Sequence, residues 1–378
     1  MPLRILHCHS TFSLGGKEAR SVRLMNAWGD AAEHVVLSAM PGRLGARSAI
    51  APGVKAEFPS DAPALHGRST PLRLCRLARY MRRFDLVLTY NWGAFDAVMA
   101  RRLFGGPLGL PPLIHHEDGF NEDEAETLNR KRNLYRRLGL GAAHALVVPS
   151  ERLERVARAN WGKAPVRIAN GVPVARFVGP PEAAAIPGFE RRSGEVVIGT
   201  VAGLRAVKNL PRLVRAFSRM THKEARLVIV GEGPESETIA AEARARGVAA
   251  RVLMPGFLAD PARWIGHFDV FALSSDSEQF PISLIEAMAA GLPAVATAVG
   301  DVSAIVSLDN RPLIVEPADE AAFAAGLDSL SDRPDLRRAI GLANREKAAS
   351  LFDEKAMIAH YARLYGEAIG RPDAFIPA

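Results

Sequence analysis

The sequence predicts an α/β protein of two doubly wound parallel-sheet domains, and three observations carry that prediction. The chain has 378 residues, too many for one ordinary core and suited to two domains of about 150 to 200 residues. Short β-branched apolar runs alternate with amphipathic stretches in both halves, the pattern of parallel βαβ units buried on both faces. Between the halves lies VARFVGPPEAAAIPGFERRSGE, rich in Pro and Gly and aperiodic, after which the alternation restarts.

In order, the first half reads RILHCH as a strand, a helix from about Lys17, HVVLSAM, a helix from Pro71, DLVLTYN, a helix from Ala94 and PLIHHEDG. A long helix from about Asn121, then ALVVPS, a helix from Glu151 and VRIANGV complete it. The aperiodic segment, about 177 to 195, is the expected linker, giving domains 1–178 and 179–354. The second half runs VVIGTVAG, a helix from Asn209, RLVIVGEGP, a helix from Glu235, RVLMPGF, VFALSS, a helix from Pro281, PAVATAVG and PLIVEP, then helices to Gly370. In such sheets a ligand sits at the C-terminal ends of the strands, so chemistry is expected in the turns that leave them.

The composition, 48% hydrophobic and 24% charged, is that of a globular protein. The apolar run at the start is too short for a secretory segment, and none reaches the roughly 18 residues of a membrane span. Cys8 and Cys75 form no disulfide framework or metal spacing and read as buried small residues of a reducing, cytoplasmic compartment. The net charge of +7 is uneven: residues 1–178 hold 26 Lys and Arg against 15 Asp and Glu, the remainder 22 against 26. The basic clusters of the first half follow helical spacing, which gives either a solvated face or a surface suited to anionic lipid or an acidic acceptor. No nucleic-acid motif accompanies the charge.

The stretch SSDSEQFPISLIEAMAAGLPAVATAVGD holds the most specific pattern. Pro281 is placed to open a helix, Gly291 to end it and Pro293 to stop the chain beyond, which predicts a helix over about 281–290. Ser283 and Glu286 share one stripe aimed back at the loop holding Glu278. Ile282, Ile285, Met288 and Ala289 make the apolar face. AGLRAVKNL leaves a strand and enters a helix, offering Arg205 and Lys208 as cationic donors for a diphosphate. Gly15 and Gly16 permit close backbone approach at a helix start. LIHHEDG gathers His115, His116, Glu117 and Asp118 at a strand's C-terminal end, a set able to bind metal, move protons or grip hydroxyls.

SEQFPISLIEAMAAGLPAVAT closely resembles the E-x(7)-E segment of family 4 retaining glycosyltransferases, which have the GT-B fold of two facing Rossmann-like domains with a cleft between them. The likeness extends to SLGGKE, IANGVPVARF, GTVAGLRAVKNL, RLVIVGEGP and MPGF, and so to nearly the whole chain. It implies transfer of a sugar from a nucleotide-sugar donor to a hydroxyl of a lipid-linked or saccharide acceptor, in cell-envelope, lipopolysaccharide or exopolysaccharide synthesis. The expected setting is the cytoplasm, peripheral to the inner face of the plasma membrane. It implies no metal and no cofactor beyond the donor. Arg205 and Lys208 would hold the diphosphate, and Glu286 the ribose hydroxyls. Glu278 and His116 (or His115, since alternate strand residues face opposite ways) would meet the sugar. Gly15, Gly16 and the amides around Phe280, Pro281, Ile282 and Ser283 would complete the cradle, with Lys17 beside the glycines. The catalytic set is then His116, Glu278, Arg205 and Lys208. The last helix, within about 355–378, would cross back to the first domain. Gln279 departs from the family, which has glycine after the first glutamate. A nucleotide-sugar epimerase of the same architecture and a catalytically silent nucleotide-binding relative are the alternatives.

Overall fold

The computed structural model of the chain describes residues 2–13, 15–40, 42–119 and 128–375. It divides into two units, one of residues 1–169 with 357–378 and one of residues 170–356. The chain crosses after Ala169 and returns at Met357, whereas the sequence placed these points at 178 and 354. The Pro/Gly-rich stretch is part of the second unit. Arg176 pairs with Asp260 at 2.6 Å, Arg263 with Glu182 at 2.7 Å and Arg191 with Asp269 at 2.6 Å, while Ile186 and Phe189 are buried. An aperiodic composition thus marks an irregular segment without making it a free linker.

The first unit comprises β1 (Leu3–His9), α1 (Gly16–Trp28), β2 (Ala32–Ser38), β3 (Ala56–Glu57), α2 (Pro71–Met81), β4 (Leu86–Tyr90), α3 (Phe95–Leu108), β5 (Leu113–His116), α4 (Arg130–Leu140), β6 (Ala145–Val148), α5 (Glu151–Val156) and β7 (Val166–Arg167). All pairings are parallel, in the order β3-β2-β1-β4-β5-β6-β7. Central strands such as LVLTY are buried at every position, which their β-branched and leucine runs satisfy because helices cover both faces. Pro71 sits in the first turn of α2 behind the Thr70 cap, whose side chain accepts from the Arg73 amide. The helix expected from Asn121 is described only from Arg130, where the Asn129 side chain caps it; residues 120–127 lie outside the described residues.

The second unit comprises β8 (Val196–Val201), α6 (Leu210–Arg219), β9 (Ala225–Val230), α7 (Ser236–Ala245), β10 (Val252–Gly256), β11 (Val270–Leu273), α8 (Ile282–Ala289), β12 (Ala294–Thr297), α9 (Val302–Ile305), β13 (Ile314–Val315), α10 (Glu320–Asp332) and α11 (Pro334–Leu351). Its parallel sheet has the order β10-β9-β8-β11-β12-β13. A last helix, α12 (Glu354–Ala368), places Met357, Tyr361 and Tyr365 in a core of the first unit with Trp28 and Phe375. No described helix is long and apolar enough to cross a membrane.

α8 differs from expectation at both its start and its faces. Pro281 is its extended N-cap (ψ 111°), with Ile282 the first helical residue. Leu284 and Ala287 are buried along with Ile285, Met288 and Ala289, on a helix against which α11 packs. Ile282, Ser283 and Glu286 are the half-exposed positions.

Candidate functional site

In the second unit the turns after β8, β9, β11 and β12 share the C-terminal edge of the sheet, where a parallel sheet presents its ligand site. After β8 the chain makes a tight turn, with the Arg205 amide donating to Gly203 O at 2.8 Å and the Lys208 amide to Arg205 O at 2.9 Å. Asn209 then takes φ 40° and caps α6, its side chain accepting from the Arg212 amide. Asparagine suits that position because it tolerates the left-handed region and carries its own acceptor. After β9, Gly231 (φ 145°) lies so close to this turn that a Cβ would stand 1.8 Å from Ala202 O.

The turn after β11 is knitted to the first by hydrogen bonds. The Ser274 hydroxyl donates at 3.1 Å to Lys208 O and Asn209 O, and the Asp276 amide to Val207 O at 2.9 Å. The central contact is Lys208 Nζ on Glu278 Oε1 at 2.5 Å. Ser275 Oγ donates to the same oxygen at 2.7 Å. Glu278 Oε1 is therefore saturated, while its second oxygen accepts from no side chain among the described residues. Arg205 is exposed and pairs with no carboxylate among them. On the far side, Gly300 (φ 57°) packs against this turn, where a Cβ would meet Glu278 O at 2.1 Å, and the Asp301 amide donates to Gln279 O at 3.3 Å. Phe280 sets its ring edge on Phe352, 5.6 Å between centroids. A free guanidinium, a lysine–glutamate pair and open carboxylate oxygen on one strand edge can bind an anion and a polyol side by side.

Two family models match in tandem. The one described as Glycosyltransferase Family 4 covers residues 14–176, and the one described as Glycosyl transferases group 1 covers residues 184–347. The chain carries the two domains of a GT-B glycosyltransferase. It is 28% identical over 172 residues to the N-acetyl-alpha-D-glucosaminyl L-malate synthase of Bacillus anthracis, over 45% of each chain. It is 26% identical over 164 residues to the lipopolysaccharide core biosynthesis glycosyltransferase LpsD of Rhizobium meliloti, over 43% of this chain and 47% of that one. The chain thus spans about half the length of these curated relatives. Its fold matches the crystal structure of Anabaena Alr3699/HepE in complex with UDP, with a TM-score of 0.77 and 18% identity over 95% of this chain and 98% of the other.

In this GT-B chain Arg205, Lys208, Glu278, Phe280, Pro281, Ile282, Ser283 and Glu286 all lie in the turns after β8 and β11 or on α8 itself. Gly15, Gly16 and His116 lie in the first unit. Gly15 is the extended N-cap of α1, and a Cβ there would come 3.0 Å from Glu18 Oε2; Gly16 is the first helical residue. Lys17 is engaged locally with Glu18 and with Thr11 O. His116 is only 1% exposed, its Nδ1–H donating to Thr89 O at 3.2 Å while Nε2 accepts from Tyr365 Oη at 2.6 Å. Burial, with Arg20 nearby, pushes its pKa down to about 3, so the imidazole is neutral. A sugar hydroxyl could take either nitrogen only by displacing a partner. His115 is buried too, its Nδ1 on Thr89 Oγ1 at 2.8 Å.

Sequence reasoning missed the surroundings of His116. His9, Tyr90 and His116 end β1, β4 and β5, and their rings stack in a row, with centroids 4.0 Å and 4.6 Å apart. Arg20 grips Asp118 through two hydrogen bonds beside them, one of 2.8 Å. Burial opposes ionisation of Asp118, but the guanidinium outweighs it and holds the carboxyl below its usual value. Among the described residues no cluster of three or more His, Cys, Asp or Glu could hold a metal ion.

Proposed function

We propose that the chain is a retaining, metal-independent glycosyltransferase of family 4. It would take a sugar from a nucleotide-sugar donor and place it on a hydroxyl of a lipid-linked or saccharide acceptor in cell-envelope polysaccharide, lipopolysaccharide or exopolysaccharide synthesis. The observation that carries this reading is the Lys208–Glu278 pair with Arg205, which pairs with no carboxylate among the described residues, three residues before it on the ligand edge of the second sheet. Arg205 and Lys208 offset the charge that gathers on the β-phosphate as the sugar departs. Glu278, its carboxylate fixed by Lys208 and Ser275, aligns the sugar's hydroxyls, and Glu286 holds the ribose. The C1–O bond to phosphate breaks with its electron pair on the phosphate oxygen. The acceptor oxygen bonds C1 from the same face, and its proton passes to that phosphate oxygen. UDP in the fold's structural relative and lipopolysaccharide core synthesis in a sequence relative support the donor and acceptor classes. The exposed Arg76, Arg79, Arg82 and Arg83 of the first unit would favour an acceptor held on an anionic cytoplasmic membrane face.

The test is incubation of the purified chain with UDP-glucose, UDP-N-acetylglucosamine and GDP-mannose. Soluble saccharides or lipid-linked acceptors in anionic vesicles are added, and products are followed by mass spectrometry and by NMR of the new anomeric centre. Transfer with retained configuration is expected. An inverted product would contradict the mechanism, isomerised donor without acceptor would indicate an epimerase, and binding without turnover would indicate a silent relative.

A further inference from the structure

Gln279 stands between Glu278 and Phe280 in the turn after β11. A glycine at this place would be needed if the backbone took positive φ, but Gln279 is not among the described residues that do. The turn therefore holds a side chain here without backbone strain. Its backbone is fixed on both sides: Asp301 donates to its carbonyl at 3.3 Å, and Gly300 fits against the Glu278 and Gln279 carbonyls.

The side chain is not satisfied to match. Gln279 Oε1 is shielded from solvent and accepts no hydrogen bond from any described residue. A buried amide oxygen left this way is costly, and such atoms in native proteins are normally paired. No side chain of the same edge supplies the donor, Arg205 included, among the described residues. Lys208 is committed to Glu278, Arg212 donates to Ser274 O and pairs with Asp276, and Asn209 Nδ2 donates to Asp276. Glu278 beside it offers a further open oxygen. Two adjacent acceptors without donors call for a ligand that brings donors, and a polyol brings one per hydroxyl.

We propose that Gln279 is a specificity-determining residue of the donor site, its side-chain carbonyl accepting a hydrogen bond from a hydroxyl of the transferred sugar. The proposal rests on the nucleotide-sugar reading above. It assigns to this chain a selection by side chain at a position where a glycine would leave only backbone.

The experiment uses the full chain, with Gln279→Leu and the unbranched Gln279→Met, titrated calorimetrically with UDP and UDP-glucose and with GDP and GDP-mannose. Wild type should bind one sugar nucleotide more tightly than its bare diphosphate. Both variants should lose about tenfold in affinity for that sugar nucleotide, the worth of one hydrogen bond to a buried acceptor, and keep the diphosphate affinity. Against monodeoxy analogues of that donor sugar, a single analogue should bind wild type and variants equally. Unchanged sugar-nucleotide affinity, equal loss for diphosphate and sugar nucleotide, or no analogue insensitive to the substitution would overturn the proposal. Wild type that binds diphosphates without any preference for a sugar would overturn it also, while leaving nucleotide binding intact. Wild type that binds none of the four would instead bring down the donor reading, and this inference with it.

Discussion

His116 shows how a buried polar side chain is made tolerable by its partners, and half-buried Lys208 how one is held by a carboxylate. The His116 imidazole has both nitrogens engaged, one by Thr89 O on the neighbouring strand and one by the Tyr365 hydroxyl on α12. Removing that hydroxyl leaves Nε2 as a buried acceptor without a donor, a loss of about 1–3 kcal/mol. Tyr365→Phe should therefore lower the unfolding free energy from urea titration by that amount; an unchanged free energy would show that the bond contributes nothing. Each of Lys208, Glu278, His116 and Arg205 stood out in the sequence because of its residue type next to a strand end. The pairing of Lys208 with Glu278 was not legible, since 70 residues separate them. Tyr365 was still less so, being 249 residues from His116. Gln279 was visible as a departure, but its negative φ and unpartnered oxygen are facts of the folded turn.

At the scale of elements, adjacent strands set rings in register. β1 contributes His7 and His9, β2 His34, β4 Tyr90 and β5 His116, all buried. His7 Nε2 and His34 Nδ1 are 3.0 Å apart, so at most one carries the shared proton. Burial is the main cause that depresses all four histidines, His34 to about 4 and His116 to about 3, with His7 and His9 well below the ordinary value. The sign follows from linkage. Above about pH 6.5 folded and unfolded chains both hold neutral imidazoles, and below it the unfolded chain takes up protons that the folded one refuses. Stability is thus lost as pH falls from about 6.5 toward 4 and 3, by about 1.4 kcal/mol per pH unit for each such histidine. Denaturant unfolding between pH 7 and 5, above the carboxylate range, should show that loss, and His34→Gln should reduce its slope. A stability independent of pH in that window would contradict the neutral row. The strands themselves were legible from their apolar runs, except β3. Its two residues, Ala56 and Glu57, at the sheet edge carry no such run. The pairing order that aligns the rings leaves no local trace.

Over the whole molecule, the alternation of strands and helices and the order of motifs disclosed two parallel sheets, with every strand of the second and all but β3 of the first. The first crossing falls at 169 rather than 178 because ion pairs tie the aperiodic segment to the second unit, and Val172 pairs with Asp353 in a parallel bridge just inside it. Gly171 has no room for a Cβ there, with Glu354 Cα at 2.8 Å. In the proposed reaction Lys208, on the edge of the second sheet, steadies the departing diphosphate. The most direct measurement is steady-state transfer by Lys208→Ala against wild type with the same donor and acceptor. A fall in kcat of about 100-fold or more is expected from removing one charged donor at a developing oxyanion. Transfer at the wild-type rate by a folded Lys208→Ala protein would contradict the account.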